Sequence, residues 1–520
     1  MSYLMTIDAG TGSVRAVIFD ELGNQIGVSQ QEWRHLSEEG VENSMSFDFK
    51  TNWSLVCRCI QGAIANANIE AKAIKAVTAS SMREGIVLYD QEGNELWGVA
   101  NVDARAFNEV KYLKKKFLGI EEQFYKESGQ TFALGALPRL LWVKNSRPSI
   151  YEKVAKISMI SDWVLAKLSS VIATDPSNGG TTGIFSLSSR DWAVHQAKKV
   201  GLKSDIFPKV YEPSEIIGEV TSRASNESGL AKGTPVVMGG GDVQLGSAGL
   251  GVVKEGEVAI LGGSFWQQVV NINSSVTPPL DMGIRVNPHV INGLSQAEGI
   301  TFFSGLVMRW FRDAFCDMEK IEAQKRGIDV YTILEEKASK VPLGSHGIMP
   351  IFSDAMKYGK WYHASPSFIN LSIDPNICNR ASMFRSLEEN ASIVSSINLE
   401  NISKFSGIDS DTITFAGGAS RGALWSQILA DVTGKSVKIP VVKEATSLGG
   451  AMLAGVATGL YSSIDEASKN LVKWERELEP NRQNHQQYGE IKEKWQKIYQ
   501  AQLELVDRGL TTSMWKAPGV

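Results

Sequence analysis

Asp8-Ala9-Gly10-Thr11-Gly12-Ser13-Val14-Arg15 lies between two apolar stretches in which buried-type and polar residues alternate. Alternation with a period of two reads as strand, and the glycines between the stretches read as a tight turn. The same glycines let backbone N–H groups approach an anion. Thr11 and Ser13 add hydroxyl donors, and Asp8 at the strand end can hold a hydrated divalent cation. A plain β-hairpin needs only the glycines, so this segment alone leaves both readings open.

Outward from it, Tyr3 to Trp33 reads as strand, Gly-rich turn, strand, a second turn at Glu21-Leu22-Gly23-Asn24, and strand. A helix is expected over Asn52–Ala67, a strand over Ile74–Ala79, and a further hairpin with its turn at Asp90-Gln91-Glu92-Gly93-Asn94. About 250 residues later Glu257–Asn273 repeats the opening pattern of strand, Gly-Gly-Ser turn and strand, and helices and strands alternate after it to Tyr461. This weak duplication predicts two similar α/β lobes with a cleft between them, divided near Gly246–Gly251 into residues 1–247 and 248–520. Trp474, Tyr488, Trp495 and Tyr499, spaced along charged sequence, predict terminal helices packed across the second lobe.

Two commoner nucleotide motifs fail on spacing. A dinucleotide fingerprint requires a third glycine where Arg15 stands, and a helix rather than a strand after the turn. Gly434-Lys435-Ser436 resembles the end of a P-loop, but Leu429 occupies the position of its first glycine, and Lys435 reads as a surface turn residue.

Further along, Gly239-Gly240-Gly241-Asp242-Val243-Gln244 follows an apolar strand over Thr234–Met238. Three bare glycines leave Asp242 open at the strand end, where a carboxylate can take the proton of an attacking hydroxyl. An aspartate that caps the next helix gives the same pattern. Ser81-Met82-Arg83-Glu84 sets a guanidinium fork beside a carboxylate, able to grip vicinal oxygens of a polyol, and equally able to form a surface ion pair. Gly262-Gly263-Ser264, Gly305 at the start of a helix running to Arg312, and Ala416-Gly417-Gly418-Ala419-Ser420-Arg421 suit phosphate and adenine edges, or serve only to pack a helix closely on a sheet.

Composition narrows the classes further. The 520 residues are 43% hydrophobic and 21% charged, as in ordinary globular proteins, and a net charge of -4 sets up no field for nucleic acid or an anionic membrane. No apolar run approaches the roughly 20 residues of a membrane span, and the start lacks a secretion signal, so a cytoplasmic protein is expected. Four cysteines, with Cys57-Arg58-Cys59 lacking zinc or redox spacing, predict reduced and mostly buried thiols. No histidine pair has metal-ligand spacing and no serine stands in a nucleophile elbow, so hydrolase and metalloenzyme readings lack support.

In this order the motifs resemble the FGGY family of carbohydrate kinases, over essentially the whole chain. The stretch from Ser161-Asp162-Trp163 through Asp175-Pro176-Ser177-Asn178 to Arg190-Asp191-Trp192 follows the family pattern too. The resemblance implies two actin-like, ribonuclease H-like domains that close over ATP and Mg²⁺. It implies Asp242 as catalytic base, with Arg83, Glu84, Asp242 and Gln244 binding the acceptor. The nucleotide phosphates would meet Thr11, Gly12, Ser13 and Arg15 from one side and Gly262, Gly263 and Ser264 from the other. Gly305, Gly417, Gly418 and Arg421 would complete the nucleotide site, and Asp8 would hold Mg²⁺ through water.

Val243 stands where glycerol kinases of the family carry glutamine, and Gly12 and Gly263 stand in place of threonines, which weakens a glycerol assignment. Within the family, Ser81–Val87, Gly241–Gly246, Trp361–Phe368 and Gly509–Gly519 are similar to the branch that acts on 4,5-dihydroxypentane-2,3-dione, a quorum-sensing signal precursor. That likeness implies phosphorylation of its terminal hydroxyl, and regulation by the phosphocarrier HPr is implied by resemblance only. A pentulose kinase acting on ribulose or xylulose is the alternative within the family. A catalytically silent ATP and sugar sensor is the alternative outside it.

Overall fold

Alternating apolar residues build β1 (Tyr3–Ala9), β2 (Ser13–Asp20) and β3 (Gln25–Glu32) into an antiparallel meander. Its second turn is closed by Asp20 Oδ1, which accepts from the Leu22 and Asn24 amides. In this computed structural model residues 2–133, 135–279, 281–355, 362–442 and 444–517 are described. Trp361, Pro518 and Gly519, from the segments similar to the signal-kinase branch, lie outside them.

The next helix, α1 (Phe49–Ala67), begins three residues before the expected Asn52 because Asp48 accepts from the Thr51 amide and caps it. It ends where Asn68 turns left-handed at φ 52°. β4 (Ile74–Ser81) lies parallel to β1, and α2 (Ile160–Ser169), β5 (Ile216–Glu219) and β6 (Pro235–Gly241) follow, with β6 parallel to β4. The first sheet therefore runs β5-β6-β4-β1-β2-β3, and α3 (Asp242–Gly249) leaves its end. Met5, Ile7 and Ala9 point to a core with Cys59, Ile60 and Trp163 of α1 and α2, while Leu4 points to the opposite face. Between β4 and α2 an insert with its own three-stranded sheet and core extends this half, and the Asp90–Asn94 turn lies there as expected.

The second half repeats the plan. β7 (Val258–Gly262) and β8 (Trp266–Asn273) form the expected hairpin, followed by β9 (Arg285–Pro288) and β10 (Leu294–Thr301). α4 (Ser304–Phe315), α5 (Arg380–Ser406), β11 (Thr412–Ala416), α6 (Ala423–Thr433) and β12 (Ser436–Pro440) come next. After them come α7 (Ala445–Ala457), β13 (Trp474–Leu478) and α8 (Arg482–Asp507). The sheet order is β9-β10-β8-β7-β11-β12-β13, with β7, β11 and β12 mutually parallel. Strands 3-2-1-4-6 of the first sheet thus match 10-8-7-11-12 of the second, each with a helix before the first parallel neighbour. The duplication is topological.

Two features tie the halves. α7 belongs to the second half in sequence, yet Leu448, Met452 and Ala454 cover the face of the first sheet formed by Leu4, Val17, Ala76 and Val237. α3 crosses α7 without side chains between them: a Cβ on Gly249 would lie 1.9 Å from the Ala445 carbonyl, and one on Gly449 2.0 Å from that of Leu245. One expectation needs correction. Trp474 is not helical but lies on edge strand β13, 48% exposed, whereas Tyr488, Trp495 and Tyr499 are buried along the single helix α8. Exposed residues alternate with Arg476 and Leu478 along this strand, and although Trp474 shares their parity, the register shift at Pro440, its partner, and its place at the start of an edge strand leave it half exposed. Three of the four cysteines are buried and Cys378 is partly so.

Candidate active site

Because β1, β4 and β6 are parallel neighbours, their carboxyl ends meet on one edge, where open α/β sheets bind ligands. Asp8 pairs in register with Ser80, and Gly240 and Gly241 pair with Ser80 and Ser81 from the other side. Asp8, the Arg83-Glu84 turn and Asp242 therefore converge, although the chain separates them widely.

Asp242 opens α3, and its side chain is 38% exposed. Its Oδ1 accepts from the adjacent Val243 amide at 2.8 Å, but Gly241 is the N-cap, so Asp242 does not cap the helix and its carboxylate is left open. The Arg83 Nε lies 3.7 Å from Oδ1. Surrounding protein raises the Asp242 pKa to about 6; Arg83 opposes this, while Glu84 and Glu298 add to it. Asp8 is raised further, to about 7, first by burial, against Arg15, and with Asp242 and Glu444 adding like charge. Arg15 donates from Nη1 to Glu444 Oε2 at 2.7 Å and stands 3.7 Å from Asp8, so it bridges two carboxylates at the site's rim.

Arg83 and Glu84 are both buried, which removes the surface-pair reading, and they do not pair with each other in the hydrogen-bonded set. Arg83 Nη1 donates to Glu298 Oε1 at 2.6 Å, and Glu84 Oε1 accepts from Arg285. Glu84 has φ +65°, a strained conformation for a side-chain-bearing residue that clusters at functional sites. Arg139 holds its carbonyl and Thr181 Oγ1 accepts from its amide at 3.4 Å. Burial raises the Glu84 pKa, but Arg285 and Arg83 outweigh it and hold the carboxyl below its usual range. Gln244 is fully buried beneath these groups, and its Nε2 donates to Glu298 at 2.9 Å.

The two Gly-rich loops have different supports. Thr11 and Gly12 are exposed. Trp33 Nε1 donates to the Gly10 and Thr11 carbonyls, the Trp33 amide to Gly12, and His35 Nε2 to Thr11, so the loop's carbonyls are occupied. No neighbour stands within 4 Å of a Cβ built on Gly12. On the facing half, Gly262, Gly305 and Gly417 interlock. A Cβ on Gly305 would lie 2.3 Å from the Gly263 carbonyl, and one on Gly417, at φ +100°, 2.6 Å from that of Gly262. The Gly305 amide donates to Ser264 at 3.1 Å, which seats the start of α4 on the loop. Gly263 and Ser264 remain exposed, and Gly418 and Arg421 lie on a short 3-10 turn, Arg421 exposed.

Sequence reasoning missed Trp33, His35, Arg139, Arg285, Glu298 and Glu444. Trp33 closes a meander that was itself legible. Glu298 left no such signal, because the run Ser295–Gly299 around it is polar in sequence and buried only in the fold. Among the described residues no group of three or more acidic, histidine or cysteine side chains forms a metal cage. A lone carboxylate such as Asp8 would suit a hydrated cation that phosphate oxygens and water would otherwise hold.

Two α/β halves of one topology, each with a glycine-rich loop in its first hairpin, and an acid at the end of a strand of the first half define the actin-like ATPase fold. Solved structures bear out that fold: xylulose kinase from Rhodospirillum rubrum matches with TM-score 0.82 at 19% identity, covering 96% of this chain and 98% of that one. Plasmodium falciparum glycerol kinase with ADP matches with TM-score 0.83 at 18% identity, covering 97% and 98%. The chain belongs to the FGGY family of carbohydrate kinases, whose N-terminal domain model matches residues 3–249 and C-terminal domain model residues 276–458. It is a phosphotransferase. It is similar to the autoinducer-2 kinase of Enterobacter sp. (strain 638), 58% identical over 521 residues, which cover 100% of this chain and 98% of the relative. It is also similar to those of Yersinia enterocolitica, at 57%, and Salmonella typhimurium, at 56%, with the same coverage.

Proposed function

We propose that this enzyme transfers the γ-phosphate of ATP to the terminal (C5) hydroxyl of 4,5-dihydroxypentane-2,3-dione, trapping an imported quorum-sensing signal in the cytoplasm. Full-length identity of 56–58% with relatives named autoinducer-2 kinase carries this reading. The acceptor hydroxyl gives its proton to Asp242 while its oxygen forms the new bond to phosphorus and ADP leaves in line. A carboxylate with a pKa about 6 is ionised at neutral pH and basic enough for that step. Thr11, Gly12 and Ser13 donate to phosphate oxygens from the first half, and Gly262, Gly263 and Ser264 from the second. Gly305, Gly417, Gly418 and Arg421 border the nucleotide, and Arg83, Glu84 and Gln244 orient the acceptor. Bound with the nucleotide near Asp8, Mg²⁺ would neutralise phosphate charge. Most of the rate then comes from alignment and electrostatic stabilisation in a closed cleft.

Phosphorus NMR of the product tests the assignment. A single phosphate monoester on C5, formed with stoichiometric ADP, is expected. A product phosphorylated on C4, or ADP formed with free phosphate alone, overturns it.

A further inference from the structure

Arg285 of β9 and Glu298 of β10 are directly opposite each other in the antiparallel pairing, so one rung of that hairpin carries one positive and one negative side chain. The rung meets two consecutive residues of the first half with the reverse order of charge: Arg83 donates to Glu298, and Arg285 donates to Glu84. All four side chains are about nine-tenths buried or more. Around them, Glu298 Oε1 also accepts from Asn287 Nδ2 at 2.7 Å and Gln244 Nε2 at 2.9 Å. Arg285 Nε donates to Gln130 Oε1 at 2.6 Å, and Gln130 Nε2 donates to Asn287 Oδ1 at 2.8 Å. Glu298 Oε2 and Gln244 Oε1 are buried with no partner. Such a polar set would be costly to bury if it served packing alone.

We propose that Arg285 and Glu298 are positioning residues of the acceptor site: a single rung of the second half's hairpin fixes the Arg83 guanidinium and the Glu84 carboxylate, so that use of the acceptor, and not of ATP, depends on it. The inference rests on reading Arg83-Glu84 as the acceptor-binding pair. The left-handed backbone at Glu84 sends neighbouring side chains in diverging directions, and each then needs its own counter-charge. Those counter-charges lie about 200 residues away in sequence, on the half that carries the second set of glycine loops. The acceptor site is therefore complete only when the hairpin is seated, as it is here through the Tyr125 hydroxyl on the Ile284 carbonyl and the tight approach of Gly129 to Val286.

The test is steady-state kinetics of the full chain and the variants Glu298→Gln, Arg285→Gln and Arg285→Lys, with ATP and 4,5-dihydroxypentane-2,3-dione varied in turn. A lost hydrogen bond to a charged group predicts acceptor kcat/KM lowered at least about tenfold in both Gln variants. The KM for ATP stays within about twofold, and Arg285→Lys, which keeps a charged donor to Glu84, recovers part of the loss. A parallel rise in both KM values, or acceptor kcat/KM within about threefold of wild type in both Gln variants, overturns the proposal. Should Glu298→Gln not fold, the two Arg285 variants decide, since that side chain lies nearer the cleft surface. If the wild-type chain uses D-xylulose and not the dione, the proposed substrate fails, and the same ratios read with D-xylulose decide the rung's role. Turnover of neither overturns both.

Discussion

Asp242 and Asp8 are both raised carboxylates, and the two are raised for different uses. Asp242→Asn keeps size and polarity but removes the proton acceptor. It is expected to fold normally, hold ATP within a few fold and lose kcat by about 10² to 10⁴; activity within about threefold of wild type would contradict the role of base. In the wild type, kcat is expected to fall as pH drops through about 6, where the Asp242 carboxylate would take up its proton; a profile flat between about pH 5 and 7 would contradict that role. Asp8 carries a stability signature of opposite sense to that of a paired carboxylate. Its folded pKa of about 7 lies above the ordinary 3.8, so the folded state binds the extra proton in that window and stability falls as pH rises through it. Asp8→Asn should accordingly raise Tm at pH 8, leave it unchanged near pH 3, and impair Mg²⁺-dependent turnover. A lower Tm at pH 8 would contradict the sign. Glycines around an acid made these two residues legible in sequence. Their neighbours Glu444 and Glu298 were not, because a side chain whose charged partner, Arg15 or Arg83, lies about 200 or more residues away leaves no local pattern.

The strands that carry the site were the most legible elements. β1, β2, β7 and the hairpin spacing follow from period-two alternation and turn glycines, and helix α1 from its apolar period, although its Asp48 cap was not read and the start was placed three residues late. β9 and β10 were not read as strands, because Asn287, Gln296 and Glu298 put polar residues where a buried strand is expected to be apolar. The seat of α4 on the second loop yields a test at this scale. Gly305→Ala places a methyl 2.3 Å from the Gly263 carbonyl, so the loop must shift. The KM for ATP should rise while that for the acceptor changes by less than about twofold, and equal effects on both would place the loop elsewhere in the mechanism. At the α3–α7 crossing, Gly449→Ala meets the Leu245 backbone at 2.0 Å. Overpacking there should cost about 1–3 kcal/mol in calorimetric stability and lower kcat, because α3 begins at Asp242.

At the scale of the whole molecule, the sequence repeat predicted two lobes but not that α7 would return to cover the first one. Residues 3–249 match the family's N-terminal domain, yet Leu4, Val17, Ala76 and Val237 of that stretch are packed by α7 and by Tyr461, Ala467, Leu471 and Val472 after it. An isolated 1–249 fragment exposes that apolar face and is expected to aggregate; a soluble, cooperatively unfolding fragment would show that the halves are independent. On the proposed reading, the acceptor's contacts draw on both halves. A cleft built to pair with the oxygens of a dihydroxy-dione then rejects acceptors that leave its buried polar groups without partners, and such rejection reaches about 10⁴-fold where a bonded group is missing. The most direct test is kcat/KM from coupled ADP release with four acceptors at saturating ATP. The value for 4,5-dihydroxypentane-2,3-dione is expected to exceed those for glycerol, D-xylulose and L-ribulose by at least about 10²-fold, and a polyol that proves the better substrate would contradict it.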